Sequence, residues 1–423
     1  MARVDILGDG LVGLAAALRL ARLGHDVAVV GRPSWHATGF GPDPTGPDDA
    51  AATDSLGASL ELPSAWRDLF AKTGRAMEAE LHRAGLDLAP EPPTVHLSAG
   101  TGLELPTERG SQLRAVERHF DPATARRWAE VLDAADRVWQ ARRRAGLEVP
   151  VTSRPGPLPH LNPALTRTLP PPLAALATDP TRLAVHRVFG RWSLVGPEGP
   201  TDLHPLLDLL DARADRLGVE VRTTGREHPD AVVDTRAPRR RRPWVGAMTA
   251  PRVLHRRERL EVDRSGVAGR SGDIGRSGVA GKSGQWGVQP GADPRANPTM
   301  THLVDHHPQG TVETWQWSRG PWRHTLTHDH TDPSPAPELG AAPRWWRDRA
   351  PVRWTEHRGV PTLAASAASH GGPEPWAQIL TGALATYLAH ERLTGEDVRP
   401  TNRAIGAAGR PRRRPGSSSR RRV

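Results

Sequence analysis

Cysteine is absent from all 423 residues. That excludes disulfides, thiolate metal centres and cysteine nucleophiles, and it accords with a cytoplasmic protein. No run of 18 or more apolar residues exists, so no helical bilayer span is expected; contact with a membrane surface is left open. The N-terminus lacks the charged, apolar and small-residue order of a signal peptide. A generally basic surface is missing too, although the net charge is +10. Seven arginines between Arg410 and Arg422 and the run Arg239 to Arg242 hold that excess, and the rest is close to neutral. The arginine tail therefore reads as a solvated, disordered segment, and no specific nucleic-acid surface is expected.

What is present is a globular composition, 37% apolar and 25% charged, with 42 Gly and 42 Pro that imply long irregular connections. This length allows two or three packed lobes, because single cores rarely grow past roughly 250–300 residues. Val4 to Leu7 reads as a short buried strand running into Gly8-Asp9-Gly10-Leu11-Val12-Gly13. Leu11, Leu14, Leu18 and Ala21 recur at helical spacing, Gly24 ends the helix, and Val27 to Val30 is a second strand. Strand, glycine turn, helix and strand form the context of a dinucleotide fingerprint. Gly8 permits the turn, Gly10 lets backbone approach a pyrophosphate, and Gly13 allows close helix–strand packing. The helix N-terminus offers free N–H groups to phosphate.

The acid that normally follows the second strand is missing: Gly31 stands there, then Arg32. An arginine at that point can face a 2′-phosphate, so NADP is an alternative ligand.

Near the other end, Ser366 to Ala377 places Gly371-Gly372 directly before a helix carrying Trp376, Leu380, Leu384, Tyr387 and Leu388. Between these ends, 61–187 is mainly helical by pattern, with residues 147–180 proline-rich and expected to loop. A helix at Leu203 to Leu217 precedes strands at Val219 to Arg222 and Ala231 to Val233. Residues 264–287 are four hexads (RSGVAG, RSGDIG, RSGVAG, KSGQWG), too glycine-rich to bury a core. Thr301 to Val304, Thr311 to Trp317 and Arg323 to His328 read as strands, with Trp315 and Trp317 on one face as sheet core. His324 and His328 share a face with Leu326 and His330, yet no third ligand stands at diagnostic spacing, so no metal site is expected. Gly281-Lys282-Ser283 is not a phosphate loop, because Arg276 occupies the position of its first glycine.

Four stretches together resemble the phytoene-desaturase-like branch of the FAD-dependent amine oxidase superfamily. They are GDGLVGLAAALRLARLGHDVAVV (Gly8 to Val30), DSLGASLELPSAWRDLFAKTGRAME (Asp54 to Glu78), VFGRWSLVGPEGPTDLHPLLDLLDARADRLGVEVRT (Val188 to Thr223) and ASAASHGGPEPWAQILTGALATYL (Ala365 to Leu388). The chain departs from that pattern at Gly31, at HATGFG in place of a GGR-like motif, and between Val221 and Ala231, too short for the usual β-meander.

The resemblance implies an α/β fold: a discontinuous Rossmann-type FAD-binding domain with a second, mixed α+β substrate domain. Its segments are 1–60, 188–260 and 355–402 for the cofactor domain and 61–187 and 288–354 for the substrate domain. The low-complexity insert takes 261–287 and the basic tail 403–423. It implies FAD as cofactor, with Gly8, Gly10, Gly13, Gly371 and Gly372 as contacts; Leu11, Val12, Arg32, Pro375 and Trp376 complete the candidate set. The expected activity is two-electron oxidation of an apolar small molecule, with the electron acceptor unassigned. A flavin monooxygenase using NAD(P)H and a diverged, noncatalytic dinucleotide-binding protein stay open beside it.

Overall fold

The chain is described here by a computed structural model covering residues 1–8, 10–31, 56–143, 161–236, 250–259, 300–307, 309–319, 322–334, 352–365 and 374–399. Arg32, Gly371, Gly372, the run Arg239 to Arg242, the hexads 264–287 and the tail 403–423 lie outside the described residues.

β1 (Arg3–Leu7), α1 (Leu11–Arg22) and β2 (Asp26–Val30) open the fold. They build a six-stranded sheet with β9 (Glu220–Arg222), β10 (Ala231–Asp234), β15 (Arg353–His357) and β16 (Val360–Ala364), in the order β15-β16-β10-β1-β2-β9. All neighbours are parallel except the edge pair β15 and β16. The fold class is mixed α/β with a largely parallel sheet.

In the register, Val4 lies opposite Ala231 and Val27, and Ile6 opposite Val233 and Val29. These side chains are buried, as parallel strands covered by helices require. Asp5 between them is buried as well; its carboxylate accepts the Arg226 backbone N–H at 2.7 Å, and Arg226 also reaches Asp26 at 2.5 Å. That anchor lets residues 223–230 join β9 to β10 with no strand between them, in keeping with the missing β-meander.

α1 is buried nearly all round. One side, with Ala16, Ala17 and Leu20, packs on Val4, Ile6, Val27 and Val29. The other, with Leu11, Leu14, Ala15 and Leu18, joins the large core under the helices. Each such leucine contributes about 1.5–3 kcal/mol by leaving water. Arg19 is enclosed with them and donates through Nη2 to Asp68 at 2.6 Å.

A second six-stranded sheet has the order β11-β14-β13-β12-β5-β6. Its strands are β5 (Thr94–Ser98), β6 (Thr101–Leu105), β11 (Ala250–Arg259), β12 (Thr301–His307), β13 (Gly310–Arg319) and β14 (Trp322–Ser334). A small third sheet joins β3 (Ser59–Glu61), β7 (Arg191–Gly196) and β4 (Asp87–Pro90), with β8 (Gly199–Thr201) paired to β7.

Two sequence expectations change here. The 61–187 segment is not only helical: β4, β5 and β6 lie within it, in short runs such as Thr94–Ser98 that bury Thr94 and His96 rather than the apolar residues between them. The 188–260 segment is divided, because β7 and β8 sit in the third sheet and β11 pairs with β14 in the second. Pairing partners far away in sequence decide this, and no local pattern reports them.

The helices are α2 (Pro63–Thr73), α3 (Met77–Arg83), α4 (Arg109–His119), α5 (Pro122–Arg142), α6 (Pro163–Thr166), α7 (Pro171–Leu176), α8 (Pro180–Leu183), α9 (His204–Arg216) and α10 (Pro375–Thr394). α8 runs on into a π turn at Ala184–Val188. The proline-rich stretch expected to loop thus holds short helices, each started by a proline in the first turn, where its missing N–H costs nothing. Among the described residues no helix is long and apolar enough to cross a membrane.

α10 crosses α1 at Gly382. A Cβ there would stand 2.7 Å from both Ala15 Cβ and the Val12 carbonyl oxygen, so the two helix backbones meet at a distance only glycine permits. Gly382→Ala is expected to cost about 1–3 kcal/mol by overpacking; equal denaturation midpoints for variant and parent would refute this contact.

Candidate functional site

The chain leaves β1 at Gly8, turns, and enters α1 at Gly10. Gly8 has φ +122, a conformation open mainly to glycine, and an added Cβ would lie 2.3 Å from Thr235 Oγ1. That hydroxyl donates to the Leu7 carbonyl at 3.0 Å and locks the end of β10 against the bend. A Cβ on Gly13 would lie 2.8 Å from the Gly8 carbonyl oxygen. Both glycines are therefore demanded by packing.

Gly10 differs. It caps α1 in an extended conformation (φ −90°, ψ −179°), and among the described residues its Cβ position meets only Gln378 Oε1, at 3.9 Å. Among the described residues no side chain caps α1, and the first helical bond runs from Leu14 N–H to the Gly10 carbonyl at 3.1 Å. The amides of Leu11, Val12 and Gly13 precede it, in the turn whose donors lack helical partners. The Leu11 and Val12 side chains are buried in the core, so only their backbone can face a ligand.

Gln378, in the first turn of α10, brings the C-terminal motif up to this bend. Pro375 is the first residue of α10, and Trp376 beside it is 2% exposed, packed edge-on against Trp139 at 5.4 Å. The structure thus brings Gly8, Gly10, Leu11, Val12 and Gly13 together and sets the start of α10 next to them.

Gly31 has φ +128, and among the described residues nothing lies within 4 Å of its Cβ position. A glutamate in this place would find room but not a comfortable backbone, which gives the missing acid a conformational reason.

Pattern reading missed a buried polar seam between the second sheet and the short helices. Arg191 Nε lies 3.1 Å from Glu91 Oε2 and 3.8 Å from Glu61 Oε1. Its Nη1 is 3.1 Å from His302 Nδ1, which also stands 3.3 Å from Glu91 Oε1 and 3.2 Å from Thr94 Oγ1. Ser59 donates to Glu91 and accepts Trp315 Nε1–H at 2.7 Å, while the His302 ring stacks flat on Trp315 with centroids 4.8 Å apart. Glu61 meets His186 Nε2 at 2.5 Å, Arg182 pairs with Glu313, and Arg187 reaches His96, which contacts His306 at 3.1 Å.

Burial raises the pKa values of Glu61 and Glu91 despite the arginines beside them. Burial next to arginines holds His96, His186 and His302 well below the usual imidazole value, so all three are neutral. Arg187, buried beside Arg191, is lowered to about 9. The seam's members come from short runs at 59–61, 91–96, 182–191, 302–306 and 313–315 that lie far apart in the sequence, so no single spacing announces them.

The tryptophan face holds as expected. Trp315 and Trp317 are buried, and they pack respectively against His328 (5.0 Å, edge) and His324 (5.2 Å, stacked). The His330 side chain lies outside the described residues. Among the described residues no three His, Cys, Asp or Glu side chains are grouped to hold a metal ion.

No protein-family model matches the chain, and no curated protein matches it. Among solved structures, cyclohexylamine oxidase from Brevibacterium oxydans is 12% identical, with 93% of this chain and 99% of that chain covered at a TM-score of 0.44. PqsL from Pseudomonas aeruginosa, described as a probable FAD-dependent monooxygenase, is 12% identical over 96% of this chain and 93% of that chain, TM-score 0.39. The peptidyl tryptophan dihydroxylase QhpG is 13% identical at a TM-score of 0.30; 79% of this chain is covered and it spans 47% of that protein. Overlap of this extent assigns no function.

Two outcomes follow from the seam. Arg191→Met should destabilise the fold by about 3–5 kcal/mol, because Glu91 would lose its cation in a dry site; denaturant titration reads this, and a loss under about 1 kcal/mol contradicts it. His306 is lowered to about 4 by burial and then by Arg182 and Arg187, against an ordinary value of 6.5. Between these values the unfolded chain binds the proton and the folded chain does not. The stability is therefore complete above pH 6.5 and lost as pH falls toward 4. His306→Asn should flatten that part of the stability–pH curve; an unchanged curve would show that His306 is not held neutral.

Proposed function

We propose that this chain is an FAD-dependent oxidoreductase that removes two electrons from an apolar small molecule in the cytoplasm. The observation that carries the reading is the glycine bend itself: an uncapped helix start with open space at Gly10, backed by two glycines that packing requires. Free amides at the end of a helix suit a diphosphate by charge and by geometry. In this reading Gly8, Gly10, Leu11, Val12 and Gly13 hold the diphosphate through backbone, within a discontinuous Rossmann-type domain. Gly371, Gly372, Pro375 and Trp376 serve the flavin end, as the sequence resemblance implies. When bound, the flavin supplies the hydride-accepting ring. The protein's own part is to bind, orient and exclude water. An apolar substrate is what the sequence resemblance implies; Trp315 and Trp317 are themselves buried against histidines of the second sheet.

Gly31 and Arg32 favour one alternative ligand, NADP, since they replace an acid with a neutral residue and a cation. A flavin monooxygenase consuming NAD(P)H with oxygen shares the same bend.

Spectroscopy on purified protein tests the proposal: bound FAD gives visible flavin absorbance, and titration of the apoprotein gives its affinity. Gly10→Ala is the discriminating variant, because its methyl group fits the protein yet intrudes where a diphosphate would lie. It should leave the melting temperature unchanged and weaken FAD at least about tenfold, roughly 1.4 kcal/mol. Colourless protein that takes up no added FAD would sink the proposal, and uptake of NADP alone would replace it with the alternative.

A further inference from the structure

A small cavity lies at the start of α10, lined by Glu61, Asp179, Arg182, His186, Glu374 and Trp376 among others. Its volume of about 20 Å³ suits a single water. Four buried polar atoms on its lining residues have no hydrogen-bond partner: Trp376 Nε1, on a side chain 2% exposed, Glu61 Oε2, Arg182 Nε and His186 Nε2. Among them Trp376 Nε1–H is a donor and Glu61 Oε2 an acceptor, a combination that a bridging water satisfies.

The charges around the cavity do not balance carboxylate by carboxylate. Glu313 has Arg182, Asp179 has Arg142 at 4.0 Å, and Glu91 has Arg191 at 3.1 Å. Glu61 has only a distant share of Arg191, at 3.8 Å, and its nearer partner His186 is a neutral ring enclosed by arginines. Glu374, the cap residue of α10, has no ion pair among the described residues. Two carboxylates therefore face one cavity with one shared cation, and a buried charge without a partner is removed most cheaply by a proton.

We propose that Glu61 and Glu374 form a proton-sharing acid pair, holding one proton between them at neutral pH and exchanging it through a water bound to Trp376 Nε1–H. No bond other than O–H is made or broken, and the proton passes from one carboxyl oxygen to the other or to solvent. The site is an acid–base station beside the start of α10, and it stands whether or not a dinucleotide binds.

The neighbours that face Glu374 are Glu61 from β3, Asp179 capping α8 and Arg182 within it, His186 from the π turn and Arg191 from β7. Burial first and Glu61 second raise Glu374 to about 7, with Arg182 and Arg191 acting the other way. This agrees with the charge count.

Infrared difference spectroscopy on the apoprotein tests the pair. A protonated-carboxyl C=O band should be present at about pH 6 and absent at about pH 9, and Glu374→Gln should reduce it and shift its midpoint. Glu61→Gln should move its midpoint down by about one unit, since the neighbouring negative charge is gone. Wild-type protein with no such band at about pH 6 overturns the proposal, as does a band that both variants leave unchanged. Should neither variant fold, the wild-type titration decides by the band's presence near neutral pH. Because the measurement needs no cofactor, its failure is distinct from a failure to bind FAD.

Discussion

Everything in this molecule is arranged around how closely α1 can be approached. On one side Gly13 lets it lie against the Gly8 carbonyl, and on another Gly382 lets α10 lie against the Val12 carbonyl and Ala15. Alanines 15 to 17 keep the intervening surface low. A side chain at either glycine would push a helix outward by a sizeable fraction of an ångström, which a packed core resists. With α1 fixed between sheet and helix, its N-terminal amides are fixed as well. The same packing that stabilises the fold therefore positions the proposed diphosphate site, and of the three bend glycines Gly10 alone meets no close neighbour among the described residues.

The polar seam obeys the opposite physics. Glu61, Glu91, Arg187, Arg191, His186 and His302 are withdrawn from water at a cost that only their mutual contacts offset. Neutral imidazoles and raised carboxylates are the low-dielectric answer: where cations run short, protons make up the difference. The seam ties β3, β7 and β12 to the π turn and ends at the cavity under α10, so its charge balance and the start of α10 are physically continuous.

Periodicity was a good guide wherever burial is periodic. The βαβ opening, the helix at Pro375–Thr394 and the strand carrying Trp315 and Trp317 all follow from apolar spacing. It failed at residues 87–105, where a short strand buries Thr94 and His96 and leaves Val95 and Leu97 only half-buried, and at the proline-led helical turns between 163 and 183. Of the site, Gly8, Gly10 and Gly13 were legible because a bend between strand and helix has few sequence solutions. Thr235, Gln378 and Gly382 were not, since each acts on a glycine or helix more than two hundred residues away.

The sequence by itself determined the bend, the missing acid at Gly31 and the nearly neutral, cysteine-free character of the chain outside its basic segments. These are properties of single residues and their immediate neighbours. Only the tertiary structure decided that Gly31 sits at a φ unfriendly to the missing glutamate, that two glycines answer to packing while the third stands open, and that Glu374 faces Glu61 across a water-sized space. Backbone approach and charge balance are sums over groups distant along the chain, and they come into being only when the chain closes on itself.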